Sequence, residues 1–160
     1  AQKRDMVGRY NKGGVCAMYV IRDDDTGKVM GCVGADVQTF KGTVPLKRAT
    51  EATKGEVVDR PVVANLATAP AARRKGLAKK LMARIEEECK EWGFEEAVLV
   101  VEANNSKARS LYSKLGYKSI GGEPDTPNIV INKETGKVVN EAVKTVFMRK
   151  SLKEGAGVQP

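Results

Sequence analysis

The apolar positions change period along the chain, and those changes predict an order of elements. Val15–Ile21 is almost continuously apolar and predicts a buried strand. Asp23–Gly27 is rich in turn residues, and Lys28–Phe40 resumes as a second strand, so the two read as a hairpin. Lys41–Arg60 is polar and basic with few apolar residues and reads as a loop. Pro61–Ala67 predicts a third strand, broken by the turn residues Thr68–Pro70. The period then becomes helical: Leu77, Leu81, Ile85 and Trp92 recur at steps of four and seven, with Ala78, Met82 and Cys89 beside them and Gly93 as a stop. Glu95–Glu102 is the next strand. Ser106–Leu115 is a short helix with Ala108, Leu111, Tyr112 and Leu115 on one side, ended by Gly116. Tyr117–Ile120 is a short strand, Gly121–Asn140 holds turns around a small hairpin of Ile129–Ile131 and Lys137–Val139, and Val143–Leu152 is the last strand. There is no internal repeat. The alternation of strand and helix predicts a mixed α/β sheet with at least one parallel pair. It forms one domain over residues 15–152, between a polar lead-in at 1–14 and a frayed tail at 153–160.

The charge order of the long helix is unusual. Arg73, Arg74, Lys75, Lys79 and Lys80 crowd its amino end, and Glu86, Glu87, Glu88 and Glu91 its carboxyl end. The helix dipole is positive at its start, so each exposed charge so placed costs about 0.3–1 kcal/mol. A solvated face helped by pairs such as Arg84 with Glu88 is one explanation. An anion held at the amino end is the other, because it reverses the sign of that cost. The spelling Arg73-Arg74-Lys75-Gly76-Leu77-Ala78, between a strand and a helix, favours the anion. Gly76 and Ala78 stand where bulk would block a ligand, and the first-turn N–H groups have no partner inside the helix. Main-chain donors plus basic side chains make a pyrophosphate cradle over Arg73–Lys79. There is no GxxxxGK[ST] loop and no GxGxxG after a strand, which excludes the P-loop and dinucleotide motifs.

These residues carry a resemblance. Arg73-x-x-Gly76-x-Ala78 resembles the acyl-CoA signature of the GCN5-related N-acetyltransferase (GNAT) family, [RQ]-x-x-G-x-[GA]. Downstream, Val98–Val101, Asn104-Asn105-Ser106-Lys107-Ala108 and Leu111-Tyr112-Ser113-Lys114-Leu115-Gly116-Tyr117 resemble the family's strand–Asn–Ala–LYxKLGF segment. The six-residue signature alone is weak; two segments in this order and spacing are strong, and the resemblance covers about Val15 to Leu152. The wording NLA…RRKGLAKKLM is most similar to plastid and cyanobacterial protein acetyltransferases. The family normally has a first strand and two helices before the hairpin, which wall the acceptor site. Only about fourteen polar residues precede Val15 here, so either the chain is truncated, or the domain is unusual in lacking those helices, or a partner supplies the wall.

The resemblance implies a site. Leu66, Ala67 and Thr68 would offer main-chain groups to the pantetheine arm of acetyl-CoA, and one N–H would polarise the thioester carbonyl; ordinary strand pairing is the plainer alternative. Arg73, Arg74, Lys75, Gly76, Leu77, Ala78 and Lys79 would hold the diphosphate. Tyr112 is the expected general acid for the leaving thiolate, against a purely packing role. Asn105, seven residues before Tyr112, stands where the family's CoA-contacting Asn does, and could equally cap the short helix. The family's strand Glu is replaced by Val100; Glu102, two residues on and facing the same side, is the nearest substitute base, with an exposed strand-end carboxylate the equal alternative. Asn65 could order a water for the same job.

Composition narrows the chemistry. The 160 residues contain no histidine, which removes Ser-His, Cys-His and imidazole–metal sites together. Cys16, Cys32 and Cys89 lie in apolar stretches without metal-ligand spacing and read as reduced, buried thiols of an intracellular protein, for which the resemblance implies the cytoplasm or plastid stroma. No apolar run reaches the roughly 18 residues of a membrane helix and no signal peptide is visible, so neither a membrane nor a metal is expected. A net charge of +8 would suit nucleic acid, but aromatics make up only 5% and do not interleave with basic residues, so a polyanionic cofactor or acidic substrate is the better match. The expectation is an acetyl-CoA-dependent N-acetyltransferase acting on a protein or peptide amine, an N-terminal α-amine or a lysine. A small-molecule amine acetyltransferase (for polyamines, amino acids or arylalkylamines) and a non-catalytic CoA-binding module are the alternatives.

Overall fold

The computed structural model describes residues 14–42, 44–46, 57–131, 135–136 and 138–153. The polar lead-in up to residue 13 and the tail from residue 154 lie outside them. The elements in chain order are β1 (Cys16–Arg22), β2 (Val29–Lys41), β3 (Val44–Pro45), β4 (Val57–Thr68), a 3-10 turn (Pro70–Ala72), α1 (Leu77–Glu91), β5 (Glu96–Glu102), α2 (Ser106–Lys114), β6 (Lys118–Ile131) and β7 (Val138–Ser151). The sheet runs β1-β2-β4-β5-β7-β6, with the two-residue β3 added to β2. Neighbours are antiparallel except β4 and β5, which are parallel as the strand–helix–strand order requires.

Two strand expectations are corrected. Val57–Arg60, assigned to a loop, belongs to β4, because β2 continues to Lys41 and supplies partners for it; Thr39 Oγ1 donates to Asp59 Oδ1 across that pair at 2.6 Å. Of that expected loop, residues 43 and 47–56 lie outside the described residues. The short strand and separate small hairpin expected over 117–140 are parts of one long ribbon, in which β6 and β7 pair from Lys118↔Arg149 to Ile131↔Val138. Two register shifts let the ladder run through Gly121, Gly122 and Pro124, residues that read locally as turns.

Both faces of the central strands are buried, which is why β4 and β5 are apolar runs rather than alternating ones. On one face α1 sets Leu81, Met82, Ile85 and Cys89 against Val33, Ala35, Val63, Ala97, Leu99, Val101 and Met148. Each such aliphatic side chain contributes about 1.5–3 kcal/mol. On the other face Phe40, Val62, Val98 and Phe147 cluster, with Phe40 and Phe147 edge to face at 5.6 Å.

Both helices stop as glycine dictates. Gly93 (φ 88°) donates to Lys90 O and Phe94 to Cys89 O; Gly116 (φ 94°) donates to Ser113 O and Tyr117 to Tyr112 O. These are paired closures of the Schellman type, which demand a left-handed residue just past the helix. Glu88 ties α1 to the edge strand: it accepts from the Tyr19 hydroxyl, from Arg84 at 3.0 Å and from Trp92 Nε1 at 3.0 Å.

Candidate active site

The parallel ladder between β4 and β5 holds two positions only, Val62↔Val98 and Val63↔Leu99. Beyond them the strands part. β4 continues against β2 as far as Gly31↔Thr68, and β5 continues against β7 as far as Glu102↔Thr145. The cause is a bulge: Gly34 pairs with Ala64 and Cys32 with Ala67, so Asn65 and Leu66 stand opposite one residue of β2. Asn65 sits at φ 57°, a left-handed value that Asn tolerates better than most residues, and its C=O accepts from the Cys32 thiol at 3.4 Å. Leu66 thereby turns onto the helix-side core while Ala67 is exposed. Along Leu66–Thr68 the edge facing β5 has no strand partner among the described residues. The main-chain groups expected to meet a pantetheine arm are thus on an open edge.

β4 leads through the 3-10 turn into the basic loop. Arg74 (φ 62°) and Gly76 (φ 73°, ψ 9°) are both left-handed, and Gly76 is the N-cap of α1. No side chain caps this helix and its first turn has no acidic residue. Its first internal bond is Lys80 N to Gly76 O at 3.1 Å, so the N–H groups of Leu77, Ala78 and Lys79 have no partner within the helix. Arg73, Arg74, Lys75, Gly76, Lys79 and Lys80 are exposed, with Leu77 and Ala78 half-buried. A Cβ added to Gly76 would meet nothing within 4 Å, so the cradle is open to solvent. The opposite holds at Gly31, whose Cβ would lie 2.9 Å from Ala67 O; glycine there lets β2 pass close beneath the end of β4.

The remaining predicted residues gather at the carboxyl end of β5. Tyr112, half-buried on α2, packs on the helix-side core with its ring edge-on to Tyr117 at 6.0 Å. Burial disfavours its phenolate and pushes its pKa above the ordinary 10.0, so its proton is retained at neutral pH. Glu102, half-buried, ends β5 on the opposite face, in line with Val98 and the exposed Val100. The candidate acid thus lies on the helix side of the sheet and the candidate base on its other face. Asn105 is a cap: its Oδ1 accepts from Ala108 N at 3.0 Å. The helix-capping alternative is what the structure displays for this residue.

Some of the arrangement was not foreseen. The bulge that parts the strands, the Cys32 thiol on the Asn65 carbonyl and the left-handed Arg74 came from no sequence signal beyond an Asn inside an apolar strand. Nor was Glu86, buried in α1, whose Oε2 accepts from Lys150 Nζ at 2.6 Å; its other oxygen and the buried Tyr117 hydroxyl lack hydrogen-bond partners in the described structure. No group of three or more His, Cys, Asp or Glu able to hold a metal occurs among the described residues.

A model of the Acetyltransferase (GNAT) family matches residues 4–117, a span that includes the splayed strands and both helices. The chain belongs to the GNAT acetyltransferase family. It is an acetyl-CoA-dependent acetyltransferase, and its mixed sheet with two helices is the fold of that family. No curated protein matches it by sequence. Among solved structures it is similar to Chaetomium thermophilum Naa20 in complex with a bisubstrate analogue (TM-score 0.61, 19% identity, 82% of this chain and 64% of that one). It thus spans less than two thirds of that protein. It is similar also to an IAA acetyltransferase from Bacillus cereus (0.62, 17%, 93% and 84%). A third likeness is to the ribosomal-protein-S18-alanine N-acetyltransferase from Escherichia coli (0.60, 17%, 100% and 83%). The open β4 edge and the uncapped basic helix start of this GNAT chain fit the two polar stretches of acetyl-CoA. Leu66–Thr68 would hold its amide-rich arm and Arg73–Lys79 its diphosphate.

Proposed function

We propose that this chain transfers the acetyl group of acetyl-CoA directly to a primary amine of a protein, an N-terminal α-amine or a lysine ε-amine. One observation carries the proposal. An open strand edge leads, through a 3-10 turn and a short basic loop, to an uncapped helix start ringed by five cations. The main-chain N–H groups of Leu77, Ala78 and Lys79 grip the diphosphate, helped by Arg73, Arg74 and Lys75. Leu66, Ala67 and Thr68 then align the thioester, and an N–H of this edge donates to its carbonyl oxygen as negative charge develops there.

The chemistry balances in two bonds and two protons. The amine nitrogen attacks the thioester carbon, the C–N bond forms, and the C–S bond breaks as the tetrahedral intermediate collapses. Tyr112 gives its proton to the departing thiolate. Glu102, directly or through a water that Asn65 orders, takes the proton from the amine. A lysine amine must shed its proton at a cost of about 4–5 kcal/mol at neutral pH, against about 1.4 for an α-amine, so the weak base here suits an α-amine better.

Likeness to an S18-alanine N-acetyltransferase supports a protein acceptor, and likeness to an IAA acetyltransferase keeps small amines in the test. Nothing in these likenesses favours the plastid and cyanobacterial enzymes over others. All three cysteines are free thiols, in keeping with an intracellular site, and no helix among the described residues is long and apolar enough to cross a membrane. Calorimetric titration with acetyl-CoA, followed by mass spectrometry of peptides, lysine-containing proteins and small amines, tests the reading. Micromolar binding with acetylation of a peptide amine is expected. Acetylation confined to small amines, or binding without turnover, would replace it.

A further inference from the structure

β7 has two neighbours over only part of its length. From Thr145 to Ser151 it pairs with β5, and Lys144 O still accepts from Ala103 N at 2.8 Å. There β5 ends. From Val138 to Val143, β7 pairs with β6 alone among the described residues. At about 3.4 Å per residue this leaves roughly 20 Å of strand edge running on past the end of β5. The open edge of β4 lies on the other side of the same gap.

Two observations fix which main-chain groups face the gap. Lys144 turns its C=O toward β5, and the alternation of an antiparallel strand carries Ala142, Asn140 and Val138 to that side. Independently, Ala142 stands opposite Pro127, which has no N–H to exchange. That pair is not hydrogen-bonded across the ribbon, so the N–H and C=O of Ala142 point away from β6. The two edges of the ribbon are also treated differently. On β6 the residue turned outward is Pro127 itself, and Pro124 lies in the register shift between Glu123 and Thr126. Proline and bulges are what keep an edge strand from accepting another strand. The inner edge of β7 carries no proline from Val138 to Ser151.

Resting on the acyl-transfer reading above, we propose that this inner edge binds the acceptor as an added strand, and that the acceptor is the extended N-terminal segment of a protein. A segment laid antiparallel on β7 brings its first residue toward Thr145 and Glu102, at the mouth of the splay where the thioester would lie. Its α-amine then arrives by main chain alone. A segment running the other way presents its carboxyl end, and a small amine has no main chain to pair. Binding of this kind draws affinity from main-chain bonds and is tolerant of sequence.

The test substitutes Asn140→Pro, which removes an N–H from the open edge and leaves the bonds to β6 untouched. Acetylation of hexapeptides with free amino termini is compared with that of single-residue amides bearing the same first residue. Loss of one main-chain bond should lower kcat/KM for the hexapeptides about three- to tenfold, with the single-residue amides unchanged. An unchanged hexapeptide rate, or an equal fall for both, overturns the inference. So does acetylation of small amines with no hexapeptide turned over, an outcome that leaves acetyl transfer itself intact. If no amine is acetylated, binding decides: a CoA–hexapeptide conjugate should bind more tightly than CoA and lose that gain in Asn140→Pro, and no gain overturns the proposal. Should the variant fail to fold, hexapeptides N-methylated at alternate residues make the comparison on the unaltered protein. Methylation should then matter at one alternation only, and equal rates for all methylated forms refute it.

Discussion

Gly76→Asp separates the cradle from a merely solvated helix end, because it should leave the free protein nearly unchanged. Gly76 occupies φ 73° with no atom within 4 Å of an added Cβ, so the penalty is conformational rather than steric. A left-handed non-glycine costs about 1–2 kcal/mol, least for Asp or Asn. Against that, an Asp at the N-cap of α1 can accept from first-turn N–H groups that no side chain now caps, a gain of about 1 kcal/mol, with roughly 0.3–1 more from the helix dipole. The net change should lie within about 1 kcal/mol, a Tm shift of about 2–4 °C or less. Acetyl-CoA meets the same carboxylate differently. If it occupies two of the three free N–H groups, two charge-assisted bonds of about 1.5–3 kcal/mol each are lost, and Kd rises by roughly 10²–10⁴. Titration calorimetry with acetyl-CoA and thermal melts of the same preparations give both numbers. Gly76→Ala is the control: it carries the strain without the charge and should weaken binding less. A Gly76→Asp protein that binds acetyl-CoA within threefold of the parent would refute the cradle.

Tyr112→Phe should lower kcat roughly a hundredfold or more while Kd for acetyl-CoA stays within a few-fold. Because burial raises the Tyr112 pKa above 10.0, its ionisation should not reduce the parent's rate below about pH 10. A basic limb near neutrality that disappears in the Phe variant would contradict the assignment as acid. Cys89, buried under α1, has its pKa pushed up to about 12, chiefly by burial and then by Glu86 and Glu88. It should resist alkylation at pH 8 while the half-buried Cys16 and Cys32 react, and mass mapping of labelled cysteines checks this. Glu88 is held below its ordinary 4.5, first by the Tyr19 hydroxyl and further by Arg84, while desolvation opposes. A depressed carboxylate contributes stability that is present above its unfolded value and lost as pH falls through the folded one. Tyr19→Phe should therefore flatten the fall in Tm between about pH 5 and pH 2, and an unaltered slope would count against the linkage.

The parts of the structure written in short-range chemistry were legible in the sequence. Leu81, Met82, Ile85 and Cys89 are buried as the helical period requires, and Gly93 and Gly116 hold the positive φ angles that end their helices. The basic loop was legible for the same reason, since its donors, its glycine and its cations lie within eight residues. What depends on a distant partner was not. Val57–Arg60 is a strand only because β2 runs on to Lys41, and β6 and β7 hold each other in register through residues that locally favour turns. The parting of β4 from β5 is of this second kind. It follows from a bulge counted against β2, and the letters NLAT do not announce it.

The odd charge order of α1 resolves into two halves with different explanations. At the carboxyl end, Glu88 and Glu91 pair with Arg84, Glu87 with Lys90, and Glu86 with Lys150 of β7. The solvated, self-paired helix face accounts for that half, and for a cation at 84 as well. At the amino end the same explanation fails. Among the described residues, Arg73, Arg74, Lys75, Lys79 and Lys80 make no ion pair, and Asp23 in the β1–β2 turn is engaged by Thr26 and feels Lys75 only as a minor influence. Five exposed cations at the positive end of a fifteen-residue helix repel both the dipole and one another. A sequence has no folding reason to place them there, since acids at the same positions would stabilise the free protein. A bound polyanion, as the proposed function has it, would account for the charge, and the open edge of β4 would give that polyanion its direction.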